Sequence, residues 1–278
     1  MDIRQLARGS IEWERLERVV HTLADRYDRE LLRVEFLEAD NWLSTPCVVE
    51  DEWFLKIISR QNAIVHGVLT TGRNLGAFTS GGEVFFERFQ SPLEMAEHEF
   101  EATRRMREIG LNAPMPIEVF EANGLGVVVL EYLPEFETLE ELDPDRLEVH
   151  APELFAMLRR LHEHNMAHGD VRAENVLLSR GELYFIDATN VNEAALDSAR
   201  SYDLASALAV LEPRIGASAA VTAAAREYDA PDLLAAREFL DFVSFRPDHD
   251  FDAAQLKGEL EKVVEIQRRE RTPGSDED

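Results

Sequence analysis

Lysine, cysteine and long apolar runs are the scarce features of this chain, and each scarcity removes a class of function. Among the 278 residues only Lys56, Lys257 and Lys262 are lysines, so nearly all positive charge is arginine. Cys47 is the single cysteine, which excludes an internal disulfide and a cysteine-rich metal site. No apolar run reaches about 18 residues, and the N-terminus shows no signal-peptide pattern. Positive charge as a whole is short: 29 basic residues face 55 acidic ones, for a net charge of −26. Such a chain repels nucleic acid and anionic membranes, so neither is an expected partner. The expectation is a soluble protein of the cytoplasm.

An apolar fraction of 45% with periodic patterning argues against a disordered acidic chain. Acidic and lysine-poor composition suits a salt-loaded, halophilic cytoplasm, where the Debye length is only about 3 Å and like charges are screened. Low salt is expected to destabilise the fold.

The densest chemistry lies in His168-Gly169-Asp170-Val171-Arg172-Ala173-Glu174-Asn175, followed by Tyr184-Phe185-Ile186-Asp187. Asp170, Asn175 and Asp187 stand at fixed offsets, in a loop after a helix and at the end of a short hairpin. Phosphoryl transfer from ATP needs a carboxylate to position or deprotonate the acceptor, and oxygen ligands for Mg²⁺ on the phosphates. Asp170 suits the first task. Asn175 and Asp187 suit the second, because hard cations prefer oxygen donors. The spacing H-x-D-x-x-x-x-N with a later strand-end Asp is a specific signal. The bland alternative is an Asx-rich hairpin with a capping Asp.

Taken in order, residues 11–32 read as a helix packed on the first lobe. Arg33 to Leu37, Cys47 to Val49 and Trp53 to Ile58 read as strands. The turn Glu38 to Pro46 contains no glycine, so a glycine-rich phosphate loop is missing there. Lys56, amid apolar strand residues, needs a partner. Its functional reading is a contact to the ATP α/β-phosphates, held by a helix glutamate. Ser91-Pro92-Leu93-Glu94 reads as a helix start and Gly110 as its stop. Helical spacing puts Glu99 on the inward stripe, which makes it the chosen partner, and leaves Glu101 outward beside Arg105. Residues 59–90 carry Gly67, Gly72, Gly76, Gly81 and Gly82 and read as an insertion packed on the first lobe. Gly72 to Gly76 is a weak phosphate-cradle signal.

Asn123-Gly124 between apolar runs predicts a hairpin. The second strand runs out through Leu130-Glu131-Tyr132-Leu133; a kinase reading would make this the hinge, with adenine pairing to backbone near Glu131 and Leu133 and a gatekeeper at Leu130. The acidic stretch 135–150 leads into a predicted helix over 152–165. Ala199 to Leu211 reads as an apolar helix, in which Asp203 needs donors. Backbone amides of the loop at His168–Asp170 are plausible ones, and the helix N-terminus is the alternative. Residues 215–245 and 252–268 read as further helices, and 269–278 as a disordered tail.

With Lys56, Glu99, His168-Gly169-Asp170, Asn175 and Asp187 in order, the chain resembles the protein-kinase-like superfamily. The His-Gly-Asp form is similar to its atypical RIO and Bud-type members, and the composition to a haloarchaeal one. The resemblance covers about residues 33–212. It implies an α+β, bilobal fold. A small antiparallel β-sheet N-lobe (33–134, with the 59–90 insertion) would carry one key helix, beside a mainly helical C-lobe (135–268). It implies Mg²⁺ and ATP bound between the lobes, with Lys56, Glu99, Glu131 and Leu133 on the nucleotide and Asn175 and Asp187 on the metal. Asp170 would orient or deprotonate the acceptor hydroxyl, or form an aspartyl-phosphate in an ATPase cycle, and Arg172, a cation near it, would reach the γ-phosphate or the acceptor. His168 reads as a structural brace. The expected activity is a Ser/Thr-type kinase or an ATPase cycle on an unknown protein or small-molecule acceptor. The alternatives are a nucleotide-binding pseudokinase acting as a regulatory or assembly module, and a sugar or antibiotic kinase. Ala188-Thr189 departs from the Phe-Gly usual after the metal-binding Asp.

Overall fold

The computed structural model of the chain describes residues 11–30, 32–37, 44–63, 89–188, 195–246 and 250–271. The expected insertion over 59–90, apart from its ends, and the candidate cradle at Gly72 to Gly76 lie outside them. The described residues divide into two compact units, one ending at Glu135 and the other beginning at Phe136. The first is built on an antiparallel sheet and the second is mainly helical, an α+β arrangement consistent with a bilobal kinase-like fold.

In the first unit, β1 (Val34–Phe36), β2 (Thr45–Val49), β3 (Trp53–Ile58), β4 (Pro116–Ala122) and β5 (Leu125–Glu131) form one sheet in the order β1-β2-β3-β5-β4. Successive side chains on a strand point to opposite faces, and this period of two sorts the core. Leu55, Ile57, Val127 and Val129 face one way and bury Leu16, Val19 and Leu23 of helix α1 (Trp13–Arg26). Ile58, Val128 and Leu130 face the other way, toward Met95 and Ala96 of helix α2 (Pro92–Glu108). Helix α1 is shorter than the 11–32 expected from sequence; Tyr27 closes it and Asp28 takes a positive φ.

Helix α2 starts where its cap residues dictate. The Ser91 hydroxyl accepts from the Glu94 amide, and Pro92 opens the first turn. The Asn123-Gly124 turn has both residues at positive φ, the twist that suits a two-residue hairpin. Gly126 of β5 is required by close approach. A Cβ there would lie 2.1 Å from the Pro92 carbonyl oxygen, so only glycine lets α2 seat on the strand.

In the second unit, β6 (Glu137–Thr138), β7 (Val176–Ser179) and β8 (Glu182–Phe185) form a three-stranded antiparallel sheet. Helices α3 (Pro144–Glu163), α4 (Leu196–Ile215), α5 (Ala217–Ala224), α6 (Ala230–Ser244) and α7 (Ala253–Arg271) complete it. Helix α4 is apolar on nearly every side from Ala199 to Leu211, as a helix enclosed by its neighbours must be, and it packs against α3, α5 and α6.

In the second unit, too, helix boundaries depart from the sequence expectation. The helix expected at 152–165 begins at Pro144, because the Asp143 carboxylate caps the Arg146 amide and Pro144 fits the first turn. Pro152 therefore lies inside α3. The helical stretch expected over 215–245 holds two helices, separated between Ala225 and Asp229, where the Asp229 side chain caps the second at the Asp232 amide. The last helix continues to Arg271, so residues 269–271 are helical, not tail.

Candidate functional site

In the first unit, the alternation of β3 decides where Lys56 goes. Leu55 and Ile57 face α1, so Lys56 faces α2, on the same side as Val128 opposite it in register. Its Nζ donates to Glu99 Oε1 at 2.5 Å. The two side chains are 4% and 14% exposed, so each charge is placed where it needs the other. The helical stripe that singled out Glu99 thus brings it to Lys56. Its outward counterpart Glu101 binds Arg104, not Arg105, at 2.6 and 2.9 Å. Residues three apart on a helix face each other as readily as those four apart, which is why spacing alone chose the wrong arginine.

Leu130 and Leu133 are buried at and beyond the end of β5. The Glu131 backbone N–H donates to the Met115 carbonyl at 2.8 Å, and the Glu131 carboxylate accepts from the Met115 amide. The Tyr132 N–H donates to the Glu52 carbonyl. The amides of Glu131 and Tyr132 are thus committed inside the unit. This narrows any adenine donor on the expected stretch to groups beyond them.

In the second unit, the loop that carries Asp170 runs between α3 and β7 and forms no ladder of its own. Its backbone donors go to a side chain instead. Asp203 of α4, fully buried, accepts from the His168 amide at 2.6 Å and from the Gly169 amide at 2.7 Å. These are the donors that the apolar helix around Asp203 demanded. His162 Nε2 lies 3.2 Å from the same carboxylate, and the Tyr228 hydroxyl lies 2.9 Å from His162 Nδ1. A carboxylate only accepts, so Nε2 carries the ring proton and Nδ1 accepts from tyrosine. Burial pushes the Tyr228 phenol up and keeps it a donor.

His168 is also fully buried, edge-on to Phe185 at 5.0 Å, and its Nδ1 accepts from the Asp170 amide at 3.4 Å. Burial pushes its pKa below the usual histidine value despite the nearby Asp203 and Asp170 carboxylates, so it braces the loop as a neutral ring.

Asn175 ties the loop to the hairpin. Its Nδ2 donates to the Asp170 carbonyl at 2.9 Å and to Asp170 Oδ2 at 3.3 Å. Its backbone carbonyl accepts from the Ile186 amide at 3.1 Å, one step beyond the Val176–Phe185 pair of the ladder. Asp187 follows at once, at a positive φ of 63° that aspartate tolerates better than most residues. The hairpin therefore brings Asn175 and Asp187 to the same end of β7 and β8.

Because the Asn175 amide nitrogen is turned to Asp170, its carbonyl oxygen is the end left to act as a ligand. One amide oxygen and one carboxylate suit Mg²⁺, which takes few protein ligands and completes its shell with phosphates and water. Among the described residues no group of three or more His, Cys, Asp or Glu could hold a metal by itself.

Arg172 lies beside Asp170, with Nε 3.2 Å from Oδ2, and also near Glu174 at 3.7 Å. The structure adds a residue that the sequence did not suggest. Arg246, two residues past α6, donates from Nη2 to Asp170 Oδ1 at 3.0 Å and from Nη1 to the Tyr202 hydroxyl. Neither its spacing nor its neighbours mark it in the sequence. The participation of His162 and Tyr228 was equally silent.

Residues 86–202 match the family model described as the RIO domain. That stretch belongs to the RIO/Bud group of the protein-kinase-like superfamily. The RIO match contains Glu99, Asp170, Arg172, Asn175 and Asp187 and leaves out Lys56, Asp203 and Arg246. Over 89 residues the chain is 38% identical to the KEOPS complex subunit Bud32 of Pyrococcus abyssi (strain GE5 / Orsay). The alignment covers 30% of this chain and 39% of that protein, so the chain spans well under half the length of this curated relative. The crystal structure of WbdD is similar with a TM-score of 0.45 and 15% identity, covering 87% of this chain and 48% of that one, a likeness too low to argue from. No helix among the described residues is long and apolar enough to cross a membrane.

Proposed function

We propose that this chain is an ATP-dependent phosphotransferase of the atypical RIO type, moving the γ-phosphoryl group to a hydroxyl acceptor. A protein serine or threonine is the first choice of acceptor, and water, through an ATPase cycle, the second. The observation that carries this reading is Asn175. Its side chain holds Asp170 and its backbone holds the strand end that bears Asp187, so two acids with separate tasks are tied to one residue.

In this reading Asp170 accepts the proton of the acceptor hydroxyl. The freed oxygen forms a bond to the γ-phosphorus as the bond to the β–γ bridging oxygen breaks, and ADP leaves. Asn175 and Asp187 would hold Mg²⁺, which supplies charge neutralisation on the phosphates when bound. Lys56, fixed by Glu99, supplies a cation for the α/β-phosphates. Arg172 adds a second cation near the transferred group.

The test is Mg²⁺-dependent movement of labelled γ-phosphate in concentrated KCl, for wild type, Asp170→Asn and Asp187→Asn. Asp170→Asn should lower transfer by about 10²–10⁴-fold while nucleotide still binds. Retained transfer in that variant would defeat the role given to Asp170. Label on protein marks a kinase and free phosphate marks an ATPase.

A second reading is a nucleotide-binding regulatory or assembly module without turnover. One observation favours it: Arg172 and Arg246 already engage both oxygens of Asp170. The similar Bud32 protein is by name a subunit of a complex, and membership of a complex would suit this reading. ATP binding with no phosphate movement in the presence of a cell extract would select it.

A further inference from the structure

We infer that Arg246 is a positioning residue for phosphoryl transfer, fixing the angle at which the Asp170 carboxylate meets the acceptor. This rests on the role proposed above for Asp170. Arg246 lies 76 residues beyond Asp170, outside the RIO match, yet the two side chains are 9% and 6% exposed and in direct contact. Placing two opposite charges out of water carries a desolvation penalty, which a neutral pair of similar volume would avoid. A guanidinium justifies that penalty through its fork. One Nη of Arg246 meets Asp170 Oδ1 and the other meets the Tyr202 hydroxyl.

Tyr202 is itself fully buried in α4, with its ring 5.5 Å from that of Phe242 in α6. Arg246 therefore transmits the position of α4 and α6 to a single oxygen of the catalytic carboxylate. Asp203, the next residue of α4, holds the loop by its backbone at His168 and Gly169. The dipeptide Tyr202-Asp203 thus fixes the loop twice, by its main chain through Asp203 and by the Asp170 side chain through Arg246. Asn175 and Arg172 hold the other oxygen. With both oxygens addressed from opposite sides, the carboxylate plane cannot turn freely. Rotation of that plane is what a productive approach of the acceptor hydroxyl would not tolerate.

The experiment compares kcat and the KM for ATP in wild type, Arg246→Ala and Arg246→Lys, each with and without millimolar guanidinium chloride, with equimolar urea as the control. Phe245→Ala, at an 85% exposed neighbour, controls for disturbance of the chain after α6. Near-ultraviolet circular dichroism reports folding of each variant. Arg246→Ala should lose about 10- to 100-fold in kcat with an unchanged KM for ATP. Guanidinium, which can occupy the space between Tyr202 and Asp170, should restore much of it, and urea should not. Arg246→Lys should fall between, since it keeps charge without the fork. Phe245→Ala should behave as wild type.

An unchanged or raised kcat in Arg246→Ala overturns the inference, and so does a loss that guanidinium leaves untouched. A wild type that binds ATP and moves no phosphate overturns the proposed activity, and the inference with it. That outcome is read in the wild-type arm alone, so the two failures are distinct.

Discussion

Lys56 and Asp170 are both nearly inaccessible charged side chains, 3% and 4% exposed, but they are held by different means. Lys56 is placed by regular structure. The alternation of β3 aims it at α2, and the helical stripe of α2 presents Glu99 to it. Asp170 sits on a loop, where no ladder fixes the backbone. Its amides and carboxylate are set by Asp203, His168, Asn175, Arg172 and Arg246, residues drawn from two helix regions and the loop itself. A charge on a strand inherits its direction from the period. A charge on a loop must have each degree of freedom fixed by a separate side chain, so it is the more fragile of the two.

The most severe way to test that contrast is Asp203→Ala. It strands two buried amide donors and leaves His162 without its acceptor. The expected loss is about 3–5 kcal/mol of unfolding free energy, the range for removing one partner of a buried charged network. A urea titration measures it. A loss below about 1 kcal/mol would mean that the loop is ordered by its hydrophobic flanks and that the contrast is false.

The matching change in the first unit is Glu99→Gln, which keeps an acceptor for Lys56 and removes only the charge. It should lose less, about 1–3 kcal/mol, because Glu99 is partly exposed and the strand and helix stand without it. It should also weaken ATP binding, read by nucleotide titration. Equal losses in the two variants would show that regular structure confers no advantage on the placement of Lys56.

The same contrast explains what was legible in the sequence. The limits of β3, the Ser91 cap of α2 and the inward place of Glu99 are legible because each depends on a local period or a local cap. Asp203 is legible for a different reason: a carboxylate inside an apolar helix must find donors, and the loop at His168–Asp170 offers them. Arg246 and Tyr228 obey no such rule. They reach Asp170 and His162 across 76 and 66 residues, and an arginine after an ordinary amphipathic helix looks like any surface arginine. The start of α3 was misplaced because Pro152 reads as a first-turn proline. Asp143-Pro144, eight residues earlier, carries the same signature, and the hydrogen bond from the Arg146 amide decides between them.

The gentlest expected effect concerns pH, and it separates the loop from the strand. His168 is buried as a neutral ring, with its folded pKa below the ordinary value of 6.5. The unfolded chain therefore binds the extra proton first as pH falls. Stability from keeping this ring neutral is complete above about pH 6.5 and is lost on acidification through the window down to the folded pKa. The slope there is at most about 1.4 kcal/mol per pH unit. His168→Asn, a ring-sized neutral replacement that keeps an acceptor for the Asp170 amide, should flatten the stability profile between neutral pH and the onset of carboxylate protonation. The other histidines are common to both proteins, so the difference of the two profiles isolates this group. Parallel profiles would show that folding does not shift this group, and a wild type that gains stability relative to His168→Asn on acidification would show that the ring is charged in the folded loop. The brace at His168 would then be ionic, and the loop would share with Lys56 the use of a buried charge pair.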